Sequence, residues 1–254
     1  HLPSPAIQAV ALSPHFHDDR TLLAASSDGF LYSADAGDHW AALMATPLTH
    51  VTFSPSGNLV AVASTAGEIQ VADRVNGPWR TLPSPWGEPG CVLALTVSDD
   101  ARLRVAIFEP TSARVSLWQG QGDQWQRLVT QPASAAPLAS IWLPSADQPD
   151  QTWYASLDDQ VWAIGDLADV TLRFATADGS KILRLISSHA AGASTLFVCT
   201  AERIYQATGT DHWHVAHEFG DERMVAIALS SSTPDKPTAY ALLLGGAFCR
   251  GPLS

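Results

Sequence analysis

Short apolar runs, each closed by small or polar residues, recur along the whole chain. AVALSP (9–14), HVTFSP (50–55), ALTVSD (94–99), SIWLPS (140–145), LRLISS (183–188) and AIALSS (226–231) align on a single position. Ser13, Ser54, Ser98, Pro144, Ser187 and Ser230 occupy it, at intervals of 41, 44, 46, 43 and 43 residues. A second apolar run follows each first one: TLLAAS (21–26), LVAVAS (59–64), LRVAIF (103–108), TWYASL (152–157), TLFVCT (195–200) and TAYALLL (238–244). Such runs, rich in β-branched and aromatic residues and bounded by Gly, Asp and Ser, read as strands joined by tight turns.

Two further strands complete each unit. The third is FLYSA, EIQVA, RVSLW, QVWAI, RIYQA or AFCRG, and the fourth opens at Trp40, Trp79, Trp125, Val170 or Trp213. Apolar spacing of i, i+3, i+4, i+7 is absent over any helix-like length. Four short strands per unit and a period in the low forties predict propeller blades. The fold expected is therefore all-β: a six-bladed β-propeller of four-stranded antiparallel blades, in one domain over residues 1–254. The blades fall at about 6–46, 47–88, 91–132, 137–177, 181–220 and 223–254. The sixth unit stops after its third strand. HLPSP (1–5) matches TLPSP (81–85), the end of the second unit's outer strand, so the N-terminal segment is expected to close the last blade.

Composition narrows the function. With 46% hydrophobic and 15% charged residues, the 254-residue chain can bury a sizeable core. A net charge of −11, with only two lysines (Lys181 and Lys236), argues against nucleic acid and anionic membrane surfaces, which require clustered cations. No apolar stretch reaches the roughly 18 residues of a membrane helix, so direct insertion is not expected. Cys91, Cys199 and Cys249 are widely separated within apolar runs and read as buried free thiols.

SADAGDHW (33–40) is the most regular motif. Ser33 and Asp35 suit side-chain bonds to turn amides, Gly37 suits a positive φ, and Trp40 suits packing at the start of the outer strand. Ser33, Asp35, Gly37 and Trp40 match Ser-x-Asp-x-Gly-x-x-Trp, and with the lead-in SPHFHDDRTL the first unit resembles the BNR/Asp-box repeat. That repeat occurs in sialidases, sortilin-type receptors, a photosystem assembly factor and many bacterial propellers. TFSPSGNLVAVAS in the second unit looks more like a WD-repeat. The strict motif occurs once and degrades to VNGPW (75–79), QGDQW (121–125) and GTDHW (209–213).

The resemblance raises a carbohydrate-binding or sialidase-like glycosidase as the alternative function. Such an enzyme requires an arginine cluster, a tyrosine nucleophile and acidic partners. None of the twelve arginines lies in an Arg-Ile-Pro string, and Tyr32, Tyr154, Tyr205 and Tyr240 all sit inside apolar strands. HFHDD (15–19) and DHWHVAH (211–217) are the only histidine clusters, and both read as solvated polar stretches, with no metal or other cofactor expected. A nucleophile elbow and a phosphate-cradling glycine loop are absent.

What remains is a non-catalytic interaction scaffold or recognition subunit. Its binding end is expected where turns between second and third strands meet the loops joining blades. Asp28, Glu109, Asp158, Asp159 and Glu202 lie in those turns; Glu88, Asp178, Asp221 and Glu222 lie in those loops, opposed by Lys181 and Arg223. Trp86, in the Pro-rich stretch 83–90, is the expected aromatic anchor. The partner predicted is a protein presenting a basic or polar segment.

Overall fold

The computed structural model describes all residues except 1–5, 87–89, 144–151, 166–168, 191–192, 209–211, 231–237 and 253–254. Blade 1 comprises β1 (Ile7–Leu12), β2 (Leu22–Ser26), β3 (Gly29–Ser33) and β4 (Ala41–Met44), with one helical turn, α1 (Phe16–Asp19), between its first two strands. Blade 2 comprises β5 (Leu48–Phe53), β6 (Val60–Ser64), β7 (Ile69–Ala72) and β8 (Arg80–Leu82). Blade 3 comprises β9 (Cys91–Val97), β10 (Arg102–Glu109), β11 (Arg114–Gln121) and β12 (Gln124–Pro132). Blade 4 comprises β13 (Ala139–Trp142), β14 (Trp153–Leu157), β15 (Gln160–Ile164) and β16 (Val170–Ala175). Blade 5 comprises β17 (Ile182–Ala190), β18 (Ala193–Thr200), β19 (Arg203–Thr208) and β20 (His212–Glu218). Blade 6 shows β21 (Met224–Ser230), β22 (Thr238–Leu243) and β23 (Phe248–Pro252) among the described residues. Every sheet is antiparallel with its strands in sequence order, and the fold is a six-bladed β-propeller. Residues 1–5, expected to close blade 6, lie outside the described residues.

The chain divides into two compact units: His1–Ser134 with Leu143–Asp150, and Ala135–Trp142 with Gln151–Ser254. In the first unit the strand alternation sorts side chains between blade faces. Leu23, Ala25 and Phe30 of blade 1 pack against Leu48, Val51, Val60 and Val62 of blade 2. The other face of blade 2, with Ala61, Ala63, Ile69 and Leu82, packs on Leu95, Val97, Leu103 and Val105 of blade 3. In the second unit Val161 of blade 4 meets Ile182, Leu185 and Val198 of blade 5. Phe197, Cys199 and Ile204 then meet Met224, Ile227 and Leu243 of blade 6. Burying each Val, Leu, Ile or Phe stabilises by about 1.5–3 kcal/mol, so the seams between blades, not the sheets alone, hold each unit together.

The tryptophans at the outer strands serve these seams. Trp79 stands edge-on to Phe30 of blade 1, with ring centroids 5.4 Å apart. Trp213 of blade 5 packs on Phe174 of blade 4 at 5.0 Å. Gly120, opposite Trp125 in the β11–β12 ladder, is required by this packing, because a Cβ there would collide with the indole.

The recurrent serine position is a turn bracket in the first three blades. The amides of Ser13, Ser54 and Ser98 donate to the carbonyls of Thr21, Leu59 and Arg102 at 3.0, 2.9 and 2.9 Å. Blade 5 departs from this, since β17 runs on to Ala190 and places Ser187 inside the strand, opposite Leu196.

Candidate functional site

The turns between second and third strands are built so that most of their polar groups serve the turn itself. Ser26, 0% exposed, donates its hydroxyl to Gly29 O and accepts the Gly29 amide, holding the Ser27–Asp28 turn. Asp28 is exposed and accepts the Ser27 hydroxyl at 3.1 Å. In blade 3 the Glu109 carboxylate is occupied by two hydroxyls, Ser112 at 3.0 Å and Ser116 at 3.1 Å. Both bonds fix the side chain across the turn.

Two expectations are corrected here. Asp158 is not a surface acid: it is 6% exposed, has φ +52°, and its Oδ1 accepts the Leu138 amide at 3.0 Å. Its own amide and carbonyl bond to Leu138 O and the Ile182 amide, so it ties blade 4 to the start of blade 5. Trp86 is not an exposed anchor either: it is 6% exposed. The run of polar and Pro residues around it signalled a loop, but the indole turns inward and stacks edge-on against Trp118 and Trp125, at 6.2 and 5.8 Å. Arg127 covers the outer side of this cluster, 5.5 Å from the Trp118 ring. Glu88 lies outside the described residues.

In the second unit the acids are more compensated than the sequence suggested. Arg203, at the start of β19, bridges Asp178 at 3.0 Å and Glu218 at 2.8 Å. The Ser180 hydroxyl and amide, together with Arg203, hold the Asp178 carboxyl below its usual range. Glu202 faces Arg223 at 3.8 Å, and Lys181 donates to the Ala136 carbonyl. Sequence reasoning counted Lys181 and Arg223 but missed Arg203, which reads as a strand residue; its place beside Glu202 in the turn was the available signal. Asp28, Asp159, Asp221 and Glu222 make no ion pair among the described residues.

The Ser33–Trp40 string forms the turn between β3 and β4. Ser33 Oγ donates to Asp35 Oδ1 at 2.8 Å and accepts the Gly37 amide at 2.9 Å. Asp35 Oδ1 also accepts the His39 amide at 2.9 Å, and its Oδ2 meets His39 Nδ1 at 2.6 Å. Ala36 and Gly37 take positive φ values of 61° and 98°. The Trp40 indole N–H donates to Gly37 O at 2.9 Å. The His39 amide and imidazole, with the Ser33 hydroxyl, pull the Asp35 carboxyl down to about 2, so it stays ionised and acts as a hydrogen-bond acceptor for the hairpin.

The histidine clusters are spread over exposed surface. His212, His214 and His217 are exposed on β20, and no group of three metal-ligating side chains is assembled among the described residues. His15 is committed to the blade 1–blade 2 seam through Ser56 O at 3.0 Å. Of the three cysteines expected to be buried, only Cys199 is; Cys91 and Cys249 are exposed at the ends or edges of their sheets.

No protein-family model matches the chain, and no curated protein matches it in sequence. Solved structures do resemble it. The mitotic checkpoint complex contains a chain with TM-score 0.71 and 14% identity, the match covering 100% of this chain and 79% of that one. YCF48 from Cyanidioschyzon merolae matches with TM-score 0.66 and 12% identity over 100% of this chain and 84% of that one. The extracellular domain of the one-component system BT4673 from B. thetaiotaomicron matches with TM-score 0.68 and 9% identity over 96% of this chain, which spans 32% of that larger one. At these identities the likeness is one of fold: the chain is similar to β-propeller proteins.

Proposed function

We propose that the chain is a non-catalytic propeller module that recognises a basic or polar segment of a protein partner. The observation that carries this reading is that, while the neighbouring acids Asp178, Glu202 and Glu218 make ion pairs, Asp28 in the first unit, and Asp159, Asp221 and Glu222 in the second, make none among the described residues. They sit on turns and loops whose backbones are pinned by Ser26, Asp158 and the Glu202–Phe219 amide contact, so they are presented at little ordering cost. Several of the similar folds are known in assemblies: YCF48 with a D1 peptide, the mitotic checkpoint complex, and Dbp5 with Nup159 and Gle1. We also read blade 1 as an Asp-box blade, on the hydrogen bonds of Ser33, Asp35 and Trp40.

The test is selection of linear peptides from a display library on the purified chain, repeated on Asp28→Lys/Asp159→Lys and on Asp221→Lys/Glu222→Lys. Selected peptides rich in Lys or Arg, weakened at least tenfold by one of the reversals, support the reading. Peptides without basic character, or unaffected by both reversals, overturn it.

A further inference from the structure

We propose that His50 is a pH-sensitive clasp on the seam between blades 2 and 3. The side chain lies on β5, the innermost strand of blade 2, and reaches across the seam. Its Nε2–H donates to the carbonyl of Leu93 on β9 at 3.0 Å. With that proton placed, Nδ1 of the neutral ring accepts from the Thr49 hydroxyl at 2.9 Å. The Thr49 hydroxyl also lies 3.3 Å from Ala63 O on β6, so the ring, one hydroxyl and two strand carbonyls form one chain of contacts. In the sequence His50 stands outside both histidine clusters, within LTHVTF.

The strands packed on β5 make protonation costly. β1 (IQAVAL), β2 (LLAAS) and β6 (VAVAS) carry no titratable side chain, and β9 (CVLALTV) carries only Cys91, at its first position. Thus none of these strands brings a carboxylate to the imidazole to compensate a positive charge. Burial holds the His50 imidazole below the ordinary histidine range, against the opposing pull of the Leu93 carbonyl. The ring is half-buried at the closed seam, and when the seam opens full hydration restores its ordinary affinity for protons. The sign follows from linkage: the open seam binds more protons than the closed one, so its population grows as pH falls below about 6.5. The gain is up to about tenfold per pH unit until the closed form itself titrates. Leu93 lies three residues after Gly90, whose carbonyl abuts Gly67 in a second contact across the same seam.

Two measurements on the whole chain test this. First, an NMR titration of the His50 ring is expected to give a midpoint below the ordinary histidine value of about 6.5; a midpoint at or above that value overturns the clasp. Second, hydrogen exchange of the β9 amides, corrected for intrinsic rates, is read at pH 7.5 and 5.5 in the parent and in His50→Gln. Glutamine keeps a donor for Leu93 O but does not titrate. Acidification is expected to speed β9 exchange by up to about tenfold in the parent and to leave His50→Gln unchanged. Equal acceleration in both proteins, or none in the parent, overturns it.

Discussion

Ser56 and Asp99 stand one blade apart in sequence and meet in space: the Ser56 amide and hydroxyl both donate to Asp99 Oδ1, at 2.9 and 2.6 Å. The Ser56 carbonyl in turn meets His15 Nε2 of blade 1 at 3.0 Å. One serine therefore laces the first–second strand turns of three successive blades. Burial pulls the Asp99 carboxyl up, but the Ser56 hydroxyl and amide outweigh it and hold the group below its usual range. Replacing Asp99 by Ala is expected to cost about 1 kcal/mol, because two donors lose a charged acceptor at a partly solvated turn. Urea denaturation with an unchanged m-value checks this; a loss within error of zero contradicts it.

The Asp35 turn makes a pH prediction. The His39 amide and imidazole hold the folded carboxyl down at about 2, below the ordinary aspartate value of 3.8. A depressed carboxylate contributes stability that is present above its unfolded pKa and lost as pH falls towards its folded one. The parent is therefore expected to be more stable than Asp35→Asn at pH 7, with the difference shrinking between about 4 and about 2. Thermal denaturation of the two proteins across this range is the measurement, and a difference that does not change with pH contradicts the assignment.

Trp86 separates a packing role from a binding role. Its ring is buried against Trp118 and Trp125 beneath Gly90 and beside Ile107. Trp86→Ala is expected to lose about 3 kcal/mol or more, the range for truncating a buried aromatic. Denaturant melts decide; a variant as stable as the parent would return Trp86 to the surface.

The three thiols are expected to react differently. Burial pushes the Cys199 thiol up to about 12, and the thiolate is the reactive form. Iodoacetamide at pH 8 should alkylate the exposed Cys91 and Cys249 in the folded protein and spare Cys199 until denaturant is added. Mass mapping of the modified peptides reads this out, and early loss of the Cys199 thiol contradicts its burial.

The fold was legible because a blade repeats its chemistry. The apolar runs, the turn residues and the tryptophans at Trp79, Trp125 and Trp213 mark strands that the structure places within a few residues of their expected bounds. α1 escaped notice because a single helical turn has no periodicity to detect, and β17 outran its repeat because LRLISSHA stays strand-compatible past Ser187. The candidate binding end was less legible. Sequence position placed Asp158 in the right turn, but only coordinates show its carboxylate bonded to the Leu138 amide. Trp86 failed for the complementary reason: a loop-like context predicts exposure, whereas the seam between blades 2 and 3 draws its indole inward. Contacts one blade apart, such as Ser56–Asp99 and His50–Leu93, leave no local signal.

The proposed partner segment docks at the turns between second and third strands. A photo-crosslinking amino acid placed at Asp28 or at Asp159, with a control at the solvent-exposed Asp18 in the turn between the first two strands of blade 1, tests it with a peptide selected as above. Crosslinks from Asp28 or Asp159, with none from Asp18, are the predicted result; capture from Asp18 alone would contradict the account.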